Sequence, residues 1–438
     1  MLKKFLSISL LTVFLITMAA GCQKQEKVQQ KKQEQPVLTI AYDNSKYGDA
    51  WIKAISDAYS KENKIKVKLV ADSKLNQKAG ALLKTGKNVP DIMFLSFTNW
   101  QDWASKGYLY DLSGLYGAKI GYNETLKQKI KADYLNFCSY NGKYYIIPWD
   151  DGVTGFIYNK TMFRENNWSI PKTMEDFYVL LGQIKAKGII PIAWSGSEIS
   201  DWNYAIRTWW AQCEGHDGMV SYLALSSPEA YKQQGRITAL ENFRDIACDI
   251  TNNIPDVLNI DANKAEKQFF SSKAAMLLGG SWIETKAAGN IPNGFELGIM
   301  QFPAVANAKE PEINVSDAGG FAVIPSKATH KDAAKEFLRY SSTDSMLKLY
   351  SQITSSPRPF NYEMSVYDGL SDFGQDVFNI WKKNNNLYML SKNPLYYGKF
   401  GDWPTVASPL LQIYSGQISP QKVVDDNYEY VKTNWNSN

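Results

Sequence analysis

The stretch from Val37 to Leu95 narrows most sharply what this chain can fold into. Val37 to Tyr42 (V-L-T-I-A-Y) is an apolar run of strand length. Ala50, Ile52, Ile55, Ala58 and Tyr59 then fall on one face at helical spacing. Ile65, Val67 and Leu69 alternate with Lys66 and Lys68, which is the period of a strand. Leu75, Ala79, Leu82 and Leu83 return to helical spacing, and Ile92 to Leu95 is a third apolar run. Strand, helix, strand, helix, strand predicts a βαβαβ unit, and so an α/β fold with a parallel sheet flanked by helices. Ligands of such sheets sit beyond the carboxyl ends of the strands. Those ends are Asp43-Asn44, Asp72-Ser73 and Ser96 to Trp100, which makes Asp43, Asn44 and Trp100 candidate binding residues.

A second informative stretch runs from Tyr140 to Lys160. Asn141-Gly142 between Tyr-rich runs predicts a tight hairpin. Pro148 ends one apolar run, because it cannot donate to a ladder, and Phe156 to Tyr158 begins another. Between them lie Trp149, Asp150, Asp151, Gly152 and Gly155, an aromatic, two carboxylates and two glycines free to take unusual backbone angles. A sheet that stops there and resumes elsewhere predicts a chain crossing between two lobes, and 438 residues suffice for two packed cores.

Downstream, Pro171 to Lys187 reads as a helix capped by Thr173 with Asp176 three residues on. Ile189 to Trp194 is a strand, followed by a loop to Asn203 that holds Glu198, Asp201 and Trp202. Trp209 and Trp210 occupy adjacent positions of the next helix, so they cannot both face one cleft. Phe269 to Leu278 leads into Gly279-Gly280-Ser281-Trp282, a strand ending in small residues and an indole. Leu297 to Phe302 and Phe321 to Ile324 are further strands, and Asp332 to Tyr340 is an amphipathic helix. Gly80 to Lys87 has one residue too many between its glycines for a phosphate loop and lies within a helical pattern.

At the amino terminus Lys3-Lys4, the apolar Phe5 to Met18 and Ala19-Ala20-Gly21 form an export signal over residues 1–21. With Cys22 they resemble a bacterial lipobox, Ala19 standing where Leu is common. That resemblance implies cleavage before Cys22, a lipid on its thiol, and the extracellular face of a cell membrane as the location. Residues 22–36 are too polar to fold and read as a flexible tether. With Lys3, Lys4 and the tether's surplus lysines set aside, the formal charge of +4 falls close to zero. No basic footprint for nucleic acid remains. Cys138, Cys213 and Cys248 at wide spacing offer at most one bridge, and His216 and His330 are too far apart in sequence to suggest a metal site. No cofactor is expected.

Several segments together resemble the extracellular solute-binding proteins of carbohydrate-uptake ABC transporters. Pro90-Asp91-Ile92 with Gly107-Tyr108-Leu109 and Asp111-Leu112 is similar to that family's P-D-[IV]…G-x-L-x-D-L. Gly142-Lys143…Pro148 with Tyr158-Asn159-Lys160 and Phe163 resembles its G-K-x-x-x-x-P…Y-N-K-x-x-F. Phe270…Lys273-Ala274-Ala275-Met276…Gly280-Ser281-Trp282 resembles F-x-x-G-K-A-A-M…G-S-W, and Gly319-Gly320…Ile324-Pro325 with Ala333-Ala334…Phe337-Leu338 resembles its G-G…I-P, A-A-x-x-F-L segment. The motifs stand in family order from Pro90 to Leu338, and the resemblance, which covers essentially all of residues 37 to 438, implies a two-lobe periplasmic-binding-protein-like fold, with a mainly parallel sheet in each lobe and the ligand in the cleft between them. The first lobe would hold 37–149 and 303–345, the second 150–302 and 346–438. The resemblance places the crossings at Trp149 to Gly155, Met300 to Pro303 and Asp344 to Ile353. It implies a monomer that serves the permease subunits of an importer.

A sugar offers hydroxyls at its rim and weakly apolar C–H faces, so its receptor needs carboxylates or amides and planar rings. Asp43, Asn44, Asp150 and Asp151 are the candidate acceptors, and Trp100, Trp149, Trp194, Trp202 and Trp282 the candidate platforms. By the resemblance, Trp403 in Phe400-Gly401-Asp402-Trp403 adds an aromatic against the solute, and Arg358 in S-S-P-R-P adds a forked donor near the cleft. The acidic pair would also suit a polyamine, and peptide or polyol phosphate solutes fit the same fold. A secreted glycosidase would need two carboxyls across a glycosidic bond, but no separate catalytic module or nucleophile motif is present.

Overall fold

The computed structural model describes residues 37–96, 100–121, 123–316, 319–383, 386–387, 400 and 407–436. In chain order the strands used below are β1 (Val37–Tyr42), β2 (Lys66–Ala71), β3 (Ile92–Ser96), β4 (Ile146–Pro148), β5 (Thr154–Asn159), β6 (Ile190–Ala193), β7 (Ala274–Gly280), β8 (Leu297–Met300) and β9 (Gly320–Val323). The helices are α1 (Ala50–Asn63), α2 (Leu75–Thr85), α3 (Met174–Ala186), α4 (Asn203–Leu223), α5 (Gln234–Ala247), α6 (Lys331–Tyr340), α7 (Asp344–Thr354), α8 (Asp372–Lys383) and α9 (Pro420–Asn434).

The first sheet has the order β2-β1-β3-β9-β4. β1 pairs in parallel with β2 and β3, as the βαβαβ pattern predicts, while β9 runs antiparallel to β3 and β4. The apolar face of α1 buries Trp51, Ile52, Ile55 and Tyr59, and that of α2 buries Leu75, Ala79 and Leu83. The second sheet has the order β8-β5-β7-β6. It is mixed rather than mainly parallel: β6 and β7 are parallel, but β5 is antiparallel to both β7 and β8. A helical crossover delivers parallel strands, whereas the direction of β5 is set by the short passage out of β4.

Local signals behave as their chemistry requires. Asn141 (φ 48°) and Gly142 (φ 74°) turn the hairpin between Ser139–Tyr140 and Lys143–Tyr144. Thr173 and Asp176 form a reciprocal capping box at the start of α3. Neither Gly152 nor Gly155 uses its freedom to take a positive φ. Gly155 is needed for space, since a Cβ there would lie 2.2 Å from the Met300 carbonyl oxygen of neighbouring β8.

Trp149 to Val153 link the two sheets. The Trp149 amide donates to the Gly320 carbonyl (2.8 Å), and the Ser281 amide to the Val153 carbonyl (2.8 Å). Beyond Met300 to Pro303, Ala304 still bonds to Lys172 next to α3, and the chain regains the first sheet only at β9. Asp344 to Ile353, expected as the third crossing, forms most of α7, which packs on α1: the Tyr350 and Trp51 rings lie 5.6 Å apart, edge to face. One apolar core joins β1, β3, α1, α6 and α7, and a second surrounds Phe156, Phe177, Trp202, Trp209 and Phe243 between the second sheet, α3, α4 and α5. Trp209 and Trp210 are both buried.

Candidate functional site

The carboxyl ends of β1, β3 and β4 and the amino end of β9 lie at one edge of the first sheet, in accord with its strand directions. Asn76 of α2 ties two of those ends together. Its side-chain nitrogen donates to Asp43 Oδ2 (2.8 Å) and to Ser96 Oγ (3.1 Å), and its oxygen accepts from the Ser96 amide (2.9 Å). Asp43 also accepts from the amide (2.9 Å) and hydroxyl (2.6 Å) of Ser45. Asn44 donates to Asp49 Oδ1 (3.1 Å), which also accepts from the Tyr42 hydroxyl (2.9 Å). Burial, with help from that carboxylate, pushes the Tyr42 hydroxyl up to about 12. Asp43 and Asn44 are both half-buried.

Lys46, on the same loop, joins the two sheets. Its Nζ is 3.0 Å from Asp150 Oδ2 and stands over the Trp282 ring, 4.5 Å from its centre. Asp150 Oδ1 accepts from the Gly320 amide (2.6 Å), so β4, β9 and the β1 loop converge on one carboxylate. Trp282 follows β7 and is half-buried. It packs at 5.5 Å on Tyr204, at the start of α4, and lies against Gly280, where a Cβ would be 2.3 Å from the indole. The structure therefore brings Asp150 and Trp282 together and sets Asp43 and Asn44 on the loop that reaches them.

Asp151 goes elsewhere. Adjacent side chains of an extended segment point to opposite sides, and Asp151 accepts from the Tyr134 hydroxyl (3.1 Å) and Trp381 Nε1 (2.7 Å), with Lys131 Nζ at 3.5 Å. Burial lowers the pKa of Lys131, an effect opposed by Asp151. Lys131 and Trp381 line a separate groove of about 1290 Å³ together with Tyr362 and His216.

The other expected platforms are packing residues. Trp149 is 4% exposed, wedged against Phe94 (4.4 Å) and Trp51 (5.2 Å). Trp100 is fully buried beside Phe137 (6.0 Å). Trp194 donates from Nε1 to Asn253 Oδ1 (2.6 Å) and meets Trp202 edge-on at 5.8 Å, and both are buried in the second core. Arg358 is likewise fully buried and offers no open fork. Its guanidinium stacks 3.5 Å from the centre of the Trp149 ring, and donates from Nε to the Trp149 carbonyl (3.1 Å) and from Nη1 to that of Ser341 (2.5 Å). Burial brings its pKa down to about 9. Arg358 thus braces the first crossing from within. An indole has enough apolar area to serve either core or platform, so residue type alone could not separate these roles. Trp403 and Cys22 lie outside the described residues.

Sequence reasoning missed Lys46, Asn76 and Tyr204. Lys46 is three residues beyond Asp43 on the loop already singled out, and Tyr204 is two beyond Trp202. Among the described residues no cluster of His, Cys, Asp and Glu could hold a metal ion, and no helix is long and apolar enough to cross a membrane.

Residues 54–375 match the family model of the bacterial extracellular solute-binding proteins. The chain is 28% identical, over 367 residues, to the multiple sugar-binding protein of Streptococcus mutans, covering 81% of this chain and 83% of that one. Its fold is similar to a structure from work on xylan utilization by Caldanaerobius polysaccharolyticus (TM-score 0.73, 17% identity, 90% of this chain and 100% of that one). It is also similar to RafE in complex with raffinose (TM-score 0.67, 21% identity, 90% and 99% covered). With the family model spanning most of its length, this chain belongs to the bacterial extracellular solute-binding proteins, which are receptors rather than enzymes.

Proposed function

We propose that the protein is the substrate-binding lipoprotein of an ABC importer, anchored through Cys22 at the extracellular face of the membrane. As a monomer it captures an oligosaccharide between its lobes and delivers it chemically intact to a permease. The observation that carries this reading is the half-buried Trp282 indole at the end of the second sheet, facing Lys46 and Asp150 from the first. A partly exposed stacking surface beside a cation that is held by the buried Asp150 carboxylate suits a ring with an apolar face and a hydroxylated rim. The names of its relatives, a multiple sugar-binding protein and a raffinose complex, support the same class. The lobes divide at 149/150, residues 304–316 stay with the second lobe, whose core takes in Val305, Ile313 and Val315, and α7 goes with the first lobe because it packs on α1, which moves the last boundary beyond Thr354. Solute bound more tightly to the closed arrangement shifts the population toward it.

A thermal-shift screen of plant and microbial oligosaccharides tests the reading. A sugar present at a hundred times its dissociation constant adds about 2.7 kcal/mol. Stabilisation by none of them, with a polyamine or peptide stabilising instead, would overturn the sugar assignment. X-ray scattering with the stabilising solute should give a smaller radius of gyration, and an unchanged profile would count against lobe closure. Cys22→Ala should release the protein from the membrane fraction.

A further inference from the structure

The loop that carries Trp282 is sewn to the segment that follows α7. Ser356 donates its hydroxyl to Ser281 Oγ (2.7 Å), and Thr285 donates to the Thr354 carbonyl (3.2 Å). Between these, the Glu284 carboxylate accepts from the Ser371 hydroxyl (2.8 Å) and from that of Ser355, and the two serine oxygens are 3.1 Å apart. Ser281, Thr354, Ser355 and Ser356 are buried. Ser355 closes α7 in the left-handed conformation (φ 53°), a position that helices more readily fill with Gly or Asn. A serine held there gains its hydroxyl bond to Glu284, which glycine could not make.

The same segment continues into the crossing. The Pro357 carbonyl accepts from the Asp151 amide (3.1 Å), and Arg358 braces Trp149 and Ser341. A path therefore runs from the loop of Trp282 through the Glu284–Ser355 hydrogen bond, along the main chain to Pro357, and by the Asp151 amide's bond to the Pro357 carbonyl into the first crossing. We propose that Glu284 is a positioning residue for solute binding. It touches no solute, but through Ser355 and Ser371 it fixes the Trp282 loop against the crossing, so that stacking on the indole is coupled to lobe geometry. A carboxylate is suited to the task because it accepts from two hydroxyls at once and binds them more strongly than a neutral acceptor. The inference rests on the reading of Trp282 as a sugar platform.

The test compares the parent protein with Ser355→Gly, Glu284→Gln and Glu284→Ala. Ser355→Gly suits the left-handed backbone while it deletes the hydroxymethyl group, so the relief of backbone strain offsets the lost hydrogen bond and its melting midpoint should stay near the parent's. Calorimetry with the tightest oligosaccharide from the screen should show about tenfold weaker binding for Ser355→Gly and Glu284→Ala, and a smaller loss for Glu284→Gln. Amide hydrogen exchange at residues 281–287, measured without solute, should quicken in Ser355→Gly and Glu284→Ala while the rest of the second lobe is unchanged. Parent-level affinity in both variants overturns the proposal, whatever the exchange shows. So does a loss of affinity that appears only with a fall in the melting midpoint. If the parent binds no oligosaccharide, the sugar reading fails separately, and the exchange arm alone decides whether Glu284 holds the loop.

Discussion

The Lys46 ammonium stands 4.5 Å from the centre of the Trp282 ring while also 3.0 Å from Asp150, so one side chain touches both sheets. A cation over a partly exposed indole contributes about 0.5–1 kcal/mol. Lys46→Ala also removes a donor for a solute hydroxyl beside the ring, a bond worth about 0.5–1.5 kcal/mol net, so solute binding should weaken about two- to tenfold, read by calorimetry. Unchanged affinity would separate Lys46 from the binding site.

Trp282→Ala removes the stacking surface itself. Each stacking contact is worth about 0.5–1.5 kcal/mol by analogy with aromatic pairs, so affinity for the best oligosaccharide should fall about two- to thirteenfold. Because the ring is half-buried at a strand end, the melting midpoint should move little. Parent-like affinity would remove Trp282 from the site.

Arg358→Ala should destabilise the fold by about 3 kcal/mol in urea unfolding, because it leaves two buried carbonyls without donors and uncovers a face of Trp149. Arg358→Lys should recover little, since an ammonium cannot stack flat while it donates to Trp149 and Ser341. A cost below about 1 kcal/mol would mean that Arg358 is not a brace.

Gly155→Ala places a methyl group 2.2 Å from the Met300 carbonyl oxygen, so β5 and β8 must separate. The expected loss is about 1–3 kcal/mol in urea unfolding, the usual cost of overpacking. A melting midpoint equal to the parent's would show that the strands yield freely.

Cys138, Cys213 and Cys248 are free. Burial pushes the Cys138 thiol up to about 12, and those of Cys213 and Cys248 up to about 11. The thiolate is the reactive form, so alkylation of Cys213 and Cys248 should be slow at neutral pH and quicken about tenfold per pH unit below those values. Cys138, fully enclosed, should be labelled only after unfolding. Intact-mass spectra at several pH values give the count, and rapid labelling of all three at neutral pH would contradict these environments.

Much of the first sheet was legible because its signals are local. Alternating Lys and apolar residues mark β2, one apolar face marks α1, and the Asn141-Gly142 turn and the Thr173–Asp176 cap each act within a few residues. The mixed second sheet was not legible, since the direction of β5 depends on where the crossing delivers the chain. Asp43, Asn44, Asp150 and Trp282 could be singled out because they follow strands, and Lys46 escaped notice because a lysine on a loop is ordinarily solvated.

From residue order alone came the α/β class, the solute-receptor family and the strand ends on which a site could be built, because periodicity, turn chemistry and short motifs act over a few neighbouring residues. Only tertiary packing decided which indoles and acids face that site. Asp150 meets Lys46, whereas its neighbour Asp151 turns to Trp381, 230 positions further along. Trp149 is covered by Arg358, 209 positions away. Those partners arrive from distant segments, and an aromatic or a carboxylate takes its role from what the fold sets against it.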